Sequence, residues 1–246
     1  MGNEPNWLAA GDVEYRIRPW IIAAIFFAAF QLYQWDHVSA AAALAGCLTP
    51  AGGNVHATER LIFWIGAAAA LAAAALRTWA AAYMRSSVVH DPRVHDNRLV
   101  ADGPYRHLRN PLYLGVILMA FGIALAASRS GFVVLVLAVT VFQYRLTLRE
   151  ERALRATQGE SYRSYLAAVP RMIPSLRPCV PSSGMLPRWG QAFLGEIFMW
   201  GFALAFVLFV ATGSNRILMW GCIGATVLVL LMGRLNARGA EKQVAQ

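Results

Sequence analysis

LVADGPYRHLRNPLYLG, residues 99–115, is a polar, basic, turn-rich stretch set between two long apolar runs. Gly103-Pro104 reads as a tight turn. Asn110-Pro111 is a second break, because the residue before a proline is pushed out of the α region. Pro111 then stands where a helix can begin, at a first-turn position that needs no N–H. Between the breaks lie Tyr105, Arg106, His107 and Arg109. Phenol, guanidinium and imidazole groups are thus gathered within five residues at what reads as a membrane boundary. A basic loop can do no more than fix topology. A partner stretch downstream argues for more.

Outward from this stretch the chain is apolar. Its hydrophobic fraction is 58% and its charged fraction 14%, against roughly 45–50% and 25% for soluble domains. Six apolar segments follow one another: 19–35, 61–84, 112–127, 131–147, 191–211 and 216–233. Each reads as a helix able to cross a bilayer, the first only just. The expected fold is therefore all-α, a polytopic transmembrane helical bundle of about six spans with cytosolic cofactor-binding loops. The turn SRSG, Ser128 to Gly131, is too short to hold a domain, so both ends of the hairpin 112–147 must emerge on one side.

The net charge of +9 alone would admit nucleic acid as a partner. Its placement argues against that, since nearly all of it falls in two loops and a tail on one side. Placing Arg16, Arg18, the loops 85–110 and 145–190, and the tail in the cytosol satisfies the positive-inside rule with both termini inside. Cys47, Cys179 and Cys222 are odd in number and irregularly spaced, so neither a disulfide framework nor a zinc site follows. HDPRVHD, residues 90–96, matches no standard metal spacing, and no metal is expected. The N-terminal segment has acidic residues before its first arginine and no small-residue cleavage site soon after the apolar run. The first span is expected to be retained.

Arg77 lies within the second apolar run, where a charge is costly unless paired or snorkelling. Two placements are open: snorkelling to the cytosolic interface, or inside the bundle below a polar site. The alanine-rich sequence around it lets a neighbouring helix approach closely.

Because the hairpin returns the chain to the same side, residues 99–115 and 145–171 are expected to be neighbours. The second stretch brings Glu150-Glu151, then GESYRSY and VPRMIP. The two glutamates point about 100° apart on a helix, so at most one faces a given pocket. RLTLREERALRATQGESYRSYLAA reads as one helix leaving the membrane, broken near Gly159 and resumed.

GPYRHLRNPLYLG, a span, and then REERALRATQGESYRSYLAAVPRMIP resemble the isoprenylcysteine carboxyl methyltransferase family, whose C-terminal signature related phospholipid methyltransferases share. The resemblance covers residues 75–175. It implies an integral membrane enzyme that uses S-adenosylmethionine without a Rossmann domain. By motif position it implies cofactor binding by His90, Leu99, Val100, Tyr105, Asn110, Pro111, Tyr113 and Glu150. It implies catalytic or substrate-holding roles for Asn110, Tyr113 and Arg145, with Arg149 as the alternative to Arg145. The family usually carries Arg-His-Pro where this chain has Arg109-Asn110-Pro111; asparagine can hydrogen-bond but cannot titrate near neutral pH.

This division makes 1–60 an N-terminal addition, 61–190 the methyltransferase core, and 191–246 two further spans with a basic tail. The implied partners are a lipophilic or small-molecule methyl acceptor and membrane lipid. The composition suggests a bacterial inner membrane. Two other readings compete: a sterol-reductase-like enzyme using NADPH, and a non-enzymatic scaffold or transporter.

Overall fold

The computed structural model describes residues 6–84 and 101–228. Among these residues the chain is helical, with a lone antiparallel bridge between Ser39 and Ser128. The helices are α1 (Asp12–Arg16), α2 (Arg18–Gln31), α3 (Ala40–Leu48), α4 (Val55–Ala82), α5 (Pro111–Ala124), α6 (Arg129–Ala168), α7 (Trp189–Gly195) and α8 (Ile197–Thr212). Residues 215–228 are also helical.

Helices fall where the apolar segments predict, but fewer of them are full-length spans. Among the described residues, α4 and α6 alone are long and apolar enough to cross a membrane. The bent pair α7 and α8 makes a third if counted as one span. The six spans expected from sequence are therefore not all found. α2 and α5 have 14 residues each, about 21 Å of helix against a hydrocarbon core of about 30 Å. The limits of α5 are physical. Pro111 starts it, and Ser128, capping the next helix through the Gly131 N–H at 3.1 Å, ends the turn that follows.

The segment 36–59, between the first two apolar segments, contains α3. Ser39 caps it by accepting from the Ala42 N–H at 3.0 Å. The backbone N–H groups of Ala40 and Ala41 donate to Ala127 and Leu125. This hairpin end is closed further by the Arg129–Asp36 ion pair at 3.0 Å. The Ser130 N–H and the Arg129 guanidinium hold the Asp36 carboxyl down at about 2.

The core of the bundle is α4 against α5. Ala67, Ala70, Ala73 and Ala74 of α4 are buried. Gly66 and Gly122 meet backbone to backbone: a Cβ on Gly122 would lie 2.5 Å from the Gly66 oxygen. Small residues at such a crossing allow the tight van der Waals packing that joins helices in lipid. Met119 and Ile123 of α5 and Met199, Ala203 and Phe206 of α8 complete the main apolar cluster.

At the other end, called here the basic end, α6 runs well beyond its neighbours. Its 40 residues include a break at Gly159 (φ 58, ψ −130), as the sequence predicts. Past the break, Tyr162, Tyr165, Leu166 and Val169 form a separate small core with Ala101. The Tyr165 hydroxyl donates to the Tyr105 carbonyl at 2.8 Å.

Candidate active site

Two adjacent carboxylates on α6 face different surroundings, as their helical spacing requires. Glu151 is 2% exposed and fully engaged. Its oxygens accept from Arg109 at 3.1 and 3.2 Å, from the Asn110 amide at 3.1 Å and from Arg171 at 3.3 Å. The Asn110 amide also donates to the Arg171 carbonyl at 3.2 Å, and the Arg109 N–H to the Pro170 carbonyl at 2.9 Å. Arg171 in turn reaches the Tyr144 hydroxyl at 2.6 Å. Glu151 is thus the centre of a knot joining the start of α5, the middle of α6 and the loop at 170–171. A buried carboxylate is tolerable because every neighbour compensates it.

Glu150 turns the other way, toward a cavity of about 2050 Å³ bounded by α2, α4, α5, α6, α8 and residues 215–228. Tyr113, from the first turn of α5, sits against the same carboxylate. The Tyr15 hydroxyl donates to it at 3.2 Å. Below this polar mouth the walls become apolar, with Phe26, Phe30, Met119, Phe198 and Phe202 among them. Gln143 lines the cavity two turns of α6 below Glu150, about 10 Å at 1.5 Å per residue. Its residue is 1% exposed, and its side-chain nitrogen has no hydrogen-bond partner.

Arg77 settles between its two sequence-stated placements in favour of the bundle interior. Its guanidinium makes a two-point pair with Glu196, Nε to Oε2 at 2.7 Å and Nη2 to Oε1 at 2.9 Å, and donates to the Leu112 carbonyl at 3.0 Å. Gly115 makes room for it: a Cβ there would lie 2.4 Å from the Arg77 Cγ. The pair thereby fixes the start of α5, which carries Tyr113, relative to α4 and the α7–α8 corner.

The structure brings together some of the residues predicted from sequence and separates others. Tyr113 and Glu150 share the cavity mouth. Asn110 and Pro111 are buried at the start of α5, with Asn110 directed to Glu151 instead of the cavity. Tyr105 belongs to the short turn Gly103–Arg106 and offers its carbonyl to Tyr165. Arg145 is engaged by the N-terminal segment: it binds both Glu14 oxygens, at 3.0 and 2.8 Å, and the Trp7 carbonyl at 3.0 Å. His90, Leu99 and Val100 lie outside the described residues. No cluster of potential metal ligands occurs among the described residues.

Sequence reading missed Tyr15, Gln143 and Glu196. Glu196 had a signal, since it is the one acid in an apolar run and answers the one arginine in another. Gln143 had a similar one, as an uncharged polar residue inside an apolar helix. Tyr15 had none, because its role depends on how the N-terminal segment folds back.

Comparison with known proteins gives a single line of support. No curated protein and no solved structure matches the chain. Residues 61–161, from within α4 to just past the Gly159 break, match the model of the phospholipid methyltransferase family. That stretch, which contains Tyr113, Glu150 and Glu151, is what the chain shares with phospholipid methyltransferases.

Proposed function

We propose that the protein is an integral membrane methyltransferase of the isoprenylcysteine carboxyl methyltransferase-like kind. In this reading it uses S-adenosylmethionine and acts on a lipophilic or small acceptor at the cytosolic face of a bacterial inner membrane. The observation that carries the proposal is the shared cavity mouth of Tyr113 and Glu150, polar at its rim and apolar below. A carboxylate flanked by phenol rings suits a ligand that is cationic and carries an amino group. The residues present therefore fit the cofactor, which when bound supplies a methyl group on a sulfonium sulfur.

The chain's own part is binding, alignment and exclusion of water, which supply much of the rate in a displacement of this kind. Glu150 and Tyr113 hold the polar ligand at the rim. The apolar walls take the hydrophobic portion of the acceptor and keep water from the reacting centre. Asn110, unable to act as a base near neutral pH, serves here by holding Glu151 and with it the α5–α6 junction. The basic end faces the cytosol in this reading, with both termini inside. Residues 61–190 form the methyltransferase core, flanked by additions at 1–60 and 191–246.

Glu150→Gln tests the site. Labelled S-adenosylmethionine should bind the purified protein and lose most of its affinity for the variant. Full binding by the variant, or binding of NADPH in place of S-adenosylmethionine, would end the proposal.

A further inference from the structure

The segment preceding the first long helix folds back over the basic end and is held there by several independent contacts. The Ala10 N–H donates to the Arg145 carbonyl at 3.1 Å, and Arg149 donates to the Ala10 carbonyl at 3.2 Å. Glu14 pairs with Arg145 and Asp12 with Arg149, the latter at 2.6 Å. Ala10 is 4% exposed and packs with Phe142 and Leu146 of α6, beside Tyr113.

Tyr15 is the product of that arrangement. Its ring is covered by two guanidinium groups, Arg18 at 4.3 Å and Arg149 at 4.9 Å from the centroid. Cation–π contacts of this kind fix a ring in place. Its hydroxyl then reaches Oε1 of Glu150, and its side chain lines the same cavity. Burial, with help from the Glu150 charge, pushes the phenol above its ordinary value, so it is a donor throughout the neutral range.

We propose that residues 7–18 complete the ligand site of the core, with Tyr15 as a positioning residue that holds one oxygen of Glu150 and so sets the direction in which the carboxylate faces the ligand. This rests on the reading of Glu150 given above, but concerns residues outside the matched stretch 61–161. The hydroxyl acts through Glu150 and touches no reacting atom. Its removal should weaken binding of the polar ligand without altering the apolar walls that receive an acceptor.

The test is a double-mutant cycle on the full chain in detergent, reading the Kd for labelled S-adenosylmethionine. Tyr15→Phe keeps the ring and its guanidinium contacts and removes only the hydroxyl. It should weaken binding roughly tenfold, with the protein still melting in one cooperative transition. Tyr15→Phe combined with Glu150→Gln should bind no worse than Glu150→Gln alone, because the charged carboxylate through which the hydroxyl acts is then already gone. Unchanged binding in Tyr15→Phe, or losses that simply add, would overturn the proposal. If Glu150→Gln binds normally, the site reading itself fails; if only Tyr15→Phe does, the site stands and the N-terminal contribution falls.

Discussion

Arg77 and Glu196, separated by 119 residues in the chain, meet in a two-point ion pair whose side chains are 14% and 9% exposed. Each charge is tolerable in apolar surroundings because the other is present. Removing one partner of such a pair costs about 3–5 kcal/mol, whereas replacing both by apolar groups is often neutral. Glu196→Gln should therefore lower the unfolding temperature in detergent by many degrees. Arg77→Met with Glu196→Leu should recover most of the loss. If the single variant unfolds like the parent, the pair contributes nothing to holding α4 against the α7–α8 corner.

Glu150 and Glu151 should respond in opposite ways to the same substitution. Glu151→Gln leaves Arg109 and Arg171 facing a neutral amide in a buried knot. Stability should fall by about 2 kcal/mol or more. Glu150→Gln should leave the unfolding temperature close to that of the parent while removing ligand binding. Thermal melts with and without S-adenosylmethionine read both effects at once.

Gln143 offers a prediction with the less usual sign. A buried amide nitrogen without a partner is a cost to the fold. Gln143→Leu, close in size and apolar, should stabilise the protein by about 1 kcal/mol. If the nitrogen serves a ligand, the same change raises the KM for the acceptor and leaves cofactor affinity alone. A variant less stable than the parent would show that the amide is satisfied.

The α4–α5 contact was legible in the sequence as composition, and its register was not. Alanine-rich runs predict close approach, and the buried alanines of α4 follow. That Gly66 faces Gly122 requires knowing which faces meet, which no local pattern states. Gly122→Ala would bring a methyl group to 2.5 Å from the Gly66 oxygen, and backbone cannot yield as a side chain can. The expected cost is about 1–3 kcal/mol, read as a lower unfolding temperature.

Asp102 is 1% exposed and accepts from both serine hydroxyls at 182 and 183 and from the backbone N–H groups of Ser183 and Met185. Burial alone would raise its carboxyl; these donors outweigh it and hold the group at about 2, below the ordinary 3.8. A depressed value means stability present above the unfolded value and lost as the pH falls through the folded one. The unfolding temperature should thus decline between about pH 4 and pH 2 through this group. Asp102→Asn should flatten that part of the curve and lower stability at neutral pH. A parallel pH profile in the variant would remove Asp102 from the account.

The same residues show where sequence reasoning stops. The pairing of 99–115 with 145–171 followed from one short hairpin turn, and Tyr113 and Glu150 came with it. Which glutamate faces the cavity depends on the rotation of α6, set by packing along its whole length. The lengths of α2 and α5 escaped because apolar residues, Tyr33 and Trp35 after α2 and Leu125, Ala126 and Ala127 after α5, continue the pattern after the helix has ended. Arg145 changed partners because Glu14 reaches it from the far end of the chain. Contacts of that sequence separation leave no periodic trace.

The corner between α7 and α8 turns by 63°, with Glu196 at its apex. It sets the short helix α7 against α4, with Trp189, Phe193 and Leu194 exposed. Aromatic and aliphatic groups in that posture act as a float, settling at the level of lipid headgroups. Because Arg77 moors the corner to α4 and also donates to the Leu112 carbonyl, any shift of the corner is passed to the start of α5 and to Tyr113.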